Sequence, residues 1–359
     1  MTQLSNQNNS INLGQGFPNW QIPTFLQQSL DKVIDENITS DNYSFGCLNL
    51  LNALSKEYSP IFNRNLDPMQ NFMISNGGAT VLSELCSGLS SNEEAIVIQP
   101  YFSFYEPMLR LFRSKIKFVK LIQDKSGRFL LDFDEIKNNI SSKTKWIFLN
   151  SPHNPTGKVF TEKEYEFFSD LANEFPYLRF MSDEVYEHIN FDDQPLPRLA
   201  NVKGLWEKTV SIFSGGKTYS CTGWRIGWAV GPKNLIDQLK YTQNCTNTNA
   251  SGIIQEALAL AIPLGHEKYQ GYENYYCYLK SVFEKNVKIL EAALNDSGLG
   301  FKIYSPEGGY FLTADISESI LKMPIYFLFS KEKRKNKLHL KTEFLKSIQE
   351  YQNYKGISI

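Results

Sequence analysis

Trp146-Ile147-Phe148-Leu149-Asn150-Ser151-Pro152-His153-Asn154-Pro155-Thr156-Gly157 passes from four apolar residues directly into a turn rich in proline and polar residues. Four consecutive apolar residues bounded by turn signals fit a strand buried on both faces, as in a parallel sheet. A similar short run, Leu178-Arg179-Phe180-Met181, apolar at three of its four positions, is followed by Asp183-Glu184-Val185-Tyr186. Open parallel sheets bind ligands beyond the carboxyl ends of their strands. Asn154 and Asp183 both fall there.

Phe72-Met73-Ile74, Ala95-Ile96-Val97-Ile98, Ile116-Lys117-Phe118-Val119, Val210-Ser211-Ile212-Phe213 and Gly227-Trp228-Ala229-Val230 also read as strands. Helical segments such as Glu162 to Glu174 lie between them. The class is therefore α/β, with a mostly parallel sheet of seven strands and helices on both faces.

Lys217 lies in Ser214-Gly215-Gly216-Lys217-Thr218-Tyr219-Ser220-Cys221-Thr222-Gly223-Trp224-Arg225, just after one of these strands. An ordinary lysine ammonium, near pKa ~10.4, cannot attack a carbonyl at neutral pH; desolvation or a nearby cation must free it of its proton. Arg225 can act as that cation while neutralising a phosphate, and the glycines let backbone approach an anion. A lone Gly-Gly-Lys is ordinarily a surface turn, so the run needs company. With it, the run suits a Schiff base to pyridoxal phosphate.

Ser75-Asn76-Gly77-Gly78-Ala79-Thr80 supplies a second anion element. Val81, Leu82 and Leu85 read as the apolar face of a helix, placing the glycines at its N-terminus, where free N–H groups and the dipole favour phosphate.

With 359 residues, 42% of them hydrophobic, the chain can bury a large core and build one large domain plus a smaller one. A net charge of -1 gives no case for nucleic acid or an anionic membrane as partner. Five scattered cysteines without a Cys-x-x-Cys pair, and four histidines without ligand spacing, indicate neither a disulfide framework nor a metal site. The N-terminal residues lack the charged start and apolar core of a secretory signal and the arginines of a transit peptide, so the cytoplasm is expected, with the mitochondrion left open.

Taken together, these motifs resemble the class I/II aminotransferases of pyridoxal-phosphate fold type I. Asn12-Leu13-Gly14-Gln15-Gly16-Phe17-Pro18, Pro100-Tyr101-Phe102-Ser103-Phe104-Tyr105-Glu106-Pro107 and Thr222-Gly223-Trp224-Arg225-Ile226-Gly227-Trp228 narrow the likeness to the branch of kynurenine aminotransferase, glutamine transaminase K and cysteine-conjugate beta-lyase. The likeness runs from about residue 11 to about 316.

It implies a role for each residue. Lys217 carries the cofactor and moves protons; Asp183 holds the ring nitrogen protonated; Asn154 and Tyr186 donate to the ring 3-oxygen. Gly78, Ala79, Thr80, Ser214 and Arg225 bind the phosphate, Phe102 covers one ring face, and Gly16 and Asn154 meet the substrate. Tyr43 matches a tyrosine that reaches the neighbouring subunit's phosphate, so a homodimer is expected. Kynurenine, glutamine and aromatic or sulfur amino acids are implied donors to a 2-oxo acid, and beta-elimination from cysteine conjugates is an open alternative outcome.

The implied organisation is an N-terminal arm with part of the small domain at 1–36, a large cofactor domain at 37–265, and an interdomain helix leading to an incomplete small α+β domain at 266–359. Ser305-Pro306-Glu307-Gly308-Gly309-Tyr310-Phe311-Leu312 matches the strand entering that small domain, and after Ser317 the likeness fades. Pro324-Ile325-Tyr326-Phe327-Leu328-Phe329 reads as a core strand or docking segment, Lys331 to Lys337 as a solvated basic loop, and Glu343 to Ile348 as a helix. Arg334, the only arginine of the tail, does not sit in the context of the family's substrate-carboxylate arginine. Either the sequence is truncated, or another residue replaces that arginine, or the chain is a catalytically impaired paralogue that binds the cofactor without transaminating.

Overall fold

Along β5, Thr144–Asn150, successive side chains enter different cores: Ile147 and Leu149 join one buried cluster, Phe148 another. The same alternation divides β2, Glu94–Gln99, between Ile96 and Ile98 on one face and Ala95 and Val97 on the other. Strands apolar on both faces must be covered on both, which is why the apolar runs are continuous. The computed structural model describes residues 3, 7, 16, 18, 20–38, 45–247 and 249–317.

The remaining strands of this sheet are β1 (Phe72–Ser75), β3 (Lys115–Gln123), β4 (Phe129–Leu131), β6 (Arg179–Asp183), β7 (Thr209–Phe213) and β8 (Gly227–Val230). Their order is β1-β8-β7-β6-β5-β2-β3-β4. Pairs β3/β2, β2/β5, β5/β6 and β6/β7 are parallel, whereas β8 is antiparallel to both β7 and β1. The seven expected strands are all present, with β6 starting at Arg179 rather than Leu178. An eighth, the three-residue β4, folds back antiparallel on the edge strand β3 and was not expected.

Helices among the described residues are α1 (Thr24–Asp35), α2 (Leu48–Ile61), α3 (Gly78–Ser87), α4 (Tyr105–Leu111), α5 (Phe133–Asn138), α6 (Glu162–Glu174), the single turn α7 (Gly215–Thr218), α8 (Lys233–Thr246), α9 (Gly252–Leu264) and α10 (Tyr275–Asp296). The expected bounds of α6 hold because Thr161 and Glu164 form a reciprocal capping box. Tyr165, Phe168 and Leu171 of α6 pack with Ile147 and Phe180 on one face of the sheet, while Val81, Leu82 and Leu85 of α3 pack with Phe148, Met181 and Ile212 on the other.

A two-stranded sheet of β9 (Lys302–Tyr304) and β10 (Thr313–Asp315) lies within 266–359. This unit docks on the loop after β5: between its strands the Glu307 and Gly308 N–H groups donate to the Gly157 carbonyl, and at the start of β10 Thr313 Oγ1 donates to the Pro155 carbonyl. Tyr43, the segment 324–329, Arg334 and the helix expected at 343–348 lie outside the described residues.

The topology gathers one end of the sheet. Asn150, Asp183 and Phe213 close β5, β6 and β7, and Ser75 closes β1. Because β8 runs the other way, its first residue, Gly227, stands beside Ser75 at this same end. A Cβ on Gly227 would lie 2.5 Å from the Gly78 backbone nitrogen, so glycine is what lets α3 begin against β8.

Candidate active site

At that end opens a cleft of about 760 Å³, lined by Gly16, Gly78, Ala79, Phe102, Asn154, Asp183, Tyr186, Ser214, Lys217 and Arg225 among others. Lys217 sits on α7, directly after β7, and its Nζ donates to the Gly16 carbonyl at 2.8 Å. Burial brings the amine down to about 8; Asp183 opposes that shift and Arg225 adds to it. Desolvation is therefore the larger of the two causes anticipated from sequence, and the cation is the smaller.

Asp183 is buried at the end of β6, and its Oδ2 accepts the Tyr105 hydroxyl at 2.6 Å. Burial pushes its carboxyl up to about 6, while Tyr105 and the Val185 N–H pull it back. Asn154 Nδ2 donates to the Tyr186 hydroxyl at 3.3 Å, bringing the loop after β5 to the segment after β6. Burial holds the Tyr186 phenol above its ordinary value, so it is a protonated donor at neutral pH.

On the opposite wall, Gly78 and Ala79 begin α3, and Ser214 precedes α7, accepting the Lys217 N–H at its carbonyl. Arg225 adopts a left-handed backbone, φ 52 and ψ 57. Its guanidinium lies against Gly77, where a Cβ would fall 2.9 Å from Nη2; φ +90 at Gly77 independently favours glycine. Thr80 is set apart from the rest: its Oγ1 donates to the Asn76 carbonyl, its N–H donates to Gly77, and it does not line the cleft. Phe102 presents its ring to the cleft, with Tyr105 behind it, edge on at 5.6 Å.

The family model for aminotransferase class I and II matches residues 8–354. The chain belongs to the class I and II aminotransferases. Kynurenine–oxoglutarate transaminase 3 of Rattus norvegicus is 34% identical over 325 residues, 88% of this chain and 71% of the relative. The Dictyostelium discoideum kynurenine–oxoglutarate transaminase is 33% identical over 324 residues, 86% of this chain and 73% of the relative. The solved structure of N-succinyldiaminopimelate aminotransferase from Mycobacterium tuberculosis matches with a TM-score of 0.81 at 28% identity, covering 88% of this chain and 79% of that one. The family match continues past Ser317, where motif-by-motif likeness fades.

Several groups that shape this aminotransferase's cleft carry no assignment from sequence. Asn150 donates to the Asp183 and Pro152 carbonyls and accepts the Asn154 N–H at 2.6 Å, binding the two strand-end loops together. A polar residue closing an apolar run was its signal. Tyr105 shares the motif of Phe102, three residues on, yet its partner Asp183 is 78 residues away. Phe311 reaches the cleft, and Tyr310 reaches Lys217, only because their segment docks on the loop after β5.

The donor set fits a phosphorylated pyridine aldehyde. One buried carboxylate, with a single short hydrogen bond, suits a cationic ring nitrogen; a guanidinium beside a glycine-rich helix start suits a phosphate; a desolvated amine suits the aldehyde.

Proposed function

We propose that this aminotransferase works with pyridoxal 5'-phosphate, as a homodimer, moving the amino group of kynurenine, glutamine or an aromatic or sulfur amino acid to a 2-oxo acid. One observation carries the reading: the Lys217 amine, brought down to about 8, shares one cleft with Asp183, the Asn154–Tyr186 pair and Arg225. Relatives named kynurenine–oxoglutarate transaminase support the donor class. The homodimer rests on the likeness of Asp41-Asn42-Tyr43-Ser44 to an intersubunit phosphate contact.

Arg225, Ser214 and the N–H groups at Gly78 and Ala79 hold the phosphate; Thr80 contributes through the helix start rather than by lining the cleft. Asp183 orients the ring through its nitrogen, Asn154 and Tyr186 donate to the 3-oxygen, and Phe102 covers one face and excludes water. Once bound, the cofactor supplies an aldehyde for the amino group and an electron-withdrawing ring that stabilises charge at the carbon losing its proton. Lys217 Nζ, about 300-fold more often neutral at pH 7 than with a pKa of 10.5, takes that proton from the substrate α-carbon and would pass it to the carbon that carried the cofactor's aldehyde, the second half of the reaction running the same transfer in reverse. Asn154 and the Gly16 backbone receive the substrate carboxylate.

The purified chain incubated with the cofactor is expected to show an absorbance band near about 420 nm that Lys217→Ala abolishes. Kynurenine or glutamine should shift that band in a single turnover. A band that no amino acid shifts would leave a binding protein and end the transaminase reading.

A further inference from the structure

Tyr310 touches Lys217 twice. Its hydroxyl donates to the Lys217 carbonyl at 2.9 Å, and its ring centroid lies 4.7 Å from Lys217 Nζ. Burial keeps the phenol well above its ordinary value, so the hydroxyl remains a donor across neutral pH. The ring is held in turn by Phe283, stacked at 4.5 Å with planes 16° apart, and by Tyr186 at 4.8 Å.

The backbone around Tyr310 is equally fixed. Gly308 donates to the Gly157 carbonyl and Gly309, at φ +80, to the Ile189 carbonyl, so the loop after β5 and the segment after β6 both anchor the turn. Next along, the Phe311 ring closes on Gly16, where a Cβ would lie 2.6 Å from it. The Gly16 carbonyl is the acceptor of Lys217 Nζ. The adjacent pair Tyr310 and Phe311 thus bears on one amine from two sides.

We propose that Tyr310 is a positioning residue for Lys217, its hydroxyl fixing the lysine's backbone and its ring face holding the amine in place over the cleft. This rests on the assignment of Lys217 under the proposed function. A ring face attracts an ammonium in a desolvated site, so the face stabilises the charged amine while the hydroxyl fixes where the side chain starts. The other groups acting on Nζ are the Gly16 carbonyl that accepts from it, the Tyr186 ring at 5.6 Å, Asp183, which favours its charge, and Arg225, which opposes it; all four remain when the residue at 310 is replaced.

Two replacements separate the contacts. Tyr310→Phe keeps the ring and removes the hydroxyl; pentafluorophenylalanine at the same position keeps the shape and reverses the charge of the face. In the full-length apoenzyme, the pH dependence of Lys217 acetylation, resolved by peptide mass spectrometry, is expected to give a pKa about one unit lower with the fluorinated ring than with phenylalanine. In the loaded enzyme, Tyr310→Phe is expected to lower kcat about fivefold at unchanged KM. Equal amine pKa values in the two replacements, or an unchanged kcat in Tyr310→Phe, overturns the proposal. A Lys217→Ala enzyme that retained full transaminase activity would instead overturn the assignment on which the proposal rests, whatever the acetylation shows.

Discussion

The Tyr105 hydroxyl lies 2.6 Å from Asp183 Oδ2, joining the helix that follows β2 to the end of β6. The carboxyl sits at about 6 because burial outweighs this hydrogen bond, not because the bond is weak. A hydrogen bond to a charged group contributes about 1.5–3 kcal/mol. Removing it with Tyr105→Phe is expected to raise Asp183 by about one to two pKa units, leaving more of it protonated at pH 7. Since only the carboxylate attracts a cationic ring nitrogen, pyridoxal phosphate should bind the variant about two- to tenfold more weakly at pH 7, with the gap narrowing toward pH 9. Fluorescence titration of the apoenzyme across that range measures it, and a pH-independent gap would refute the argument.

Which parts of this site are legible in the chain follows from how local their causes are. Apolar runs ending in polar turns locate β5, β6 and β7 and hence Asn154, Asp183 and Lys217, because burial of parallel strands demands continuous apolar sequence. Glycines at 77 and 78 announce the helix start for the same local reason. The reversed direction of β8 is not written in Gly227-Trp228-Ala229-Val230, since strand propensity carries no sense of direction. Nor is β4, three residues long, distinguishable from a loop by periodicity. The partners of Tyr105 and Tyr310 are set by tertiary packing across 78 and 93 residues, beyond any spacing rule.

Because burial holds Lys217 near 8, the rate at which the apoenzyme takes up pyridoxal phosphate should climb about tenfold per pH unit from 6 to 7 and level above 8. Arg225 lowers this amine's pKa, so Arg225→Gln should move the inflection upward while weakening phosphate binding. Stopped-flow absorbance of apoenzyme and variant gives both curves. An Arg225→Gln inflection moved downward would contradict the charge arrangement described for the cleft.

Gly77→Ala combines two penalties at one position. A backbone at φ +90 strains any residue with a Cβ, by roughly 1–3 kcal/mol, and that Cβ would press on the Arg225 guanidinium at 2.9 Å. The expected result is a stability loss of that size with at least about a tenfold loss in affinity for pyridoxamine phosphate, whereas pyridoxamine, lacking the phosphate, should bind as it does to the parent chain. Calorimetric titration with the two ligands separates a damaged phosphate site from general unfolding.

Arg198 supports the segment that carries Asp183 and Tyr186 from behind. Its guanidinium pairs with Glu184 and, at 2.8 Å, with Glu187, while Ser211 donates to Glu184 and Tyr58 to Glu187. Glu184, Glu187 and Tyr58 are buried and the Arg198 side chain is nearly so, so removing this cation leaves two carboxylates uncompensated, a loss of about 3–5 kcal/mol. Burial already holds Glu187 above its ordinary value against the pull of Arg198, and Arg198→Met should raise it further. A folded pKa above the unfolded value of about 4.3 means that the native state keeps a proton the unfolded chain releases, so stability falls as pH rises from about 4.3 through the raised value. The deficit of Arg198→Met against the parent chain should therefore be smallest near pH 5 and largest near pH 8, and adding Glu184→Gln and Glu187→Gln should flatten it. Urea unfolding at the two pH values decides the matter: a deficit equal at both, or unchanged by the two glutamines, would mean that Arg198 acts through its packed stem and not through its charge.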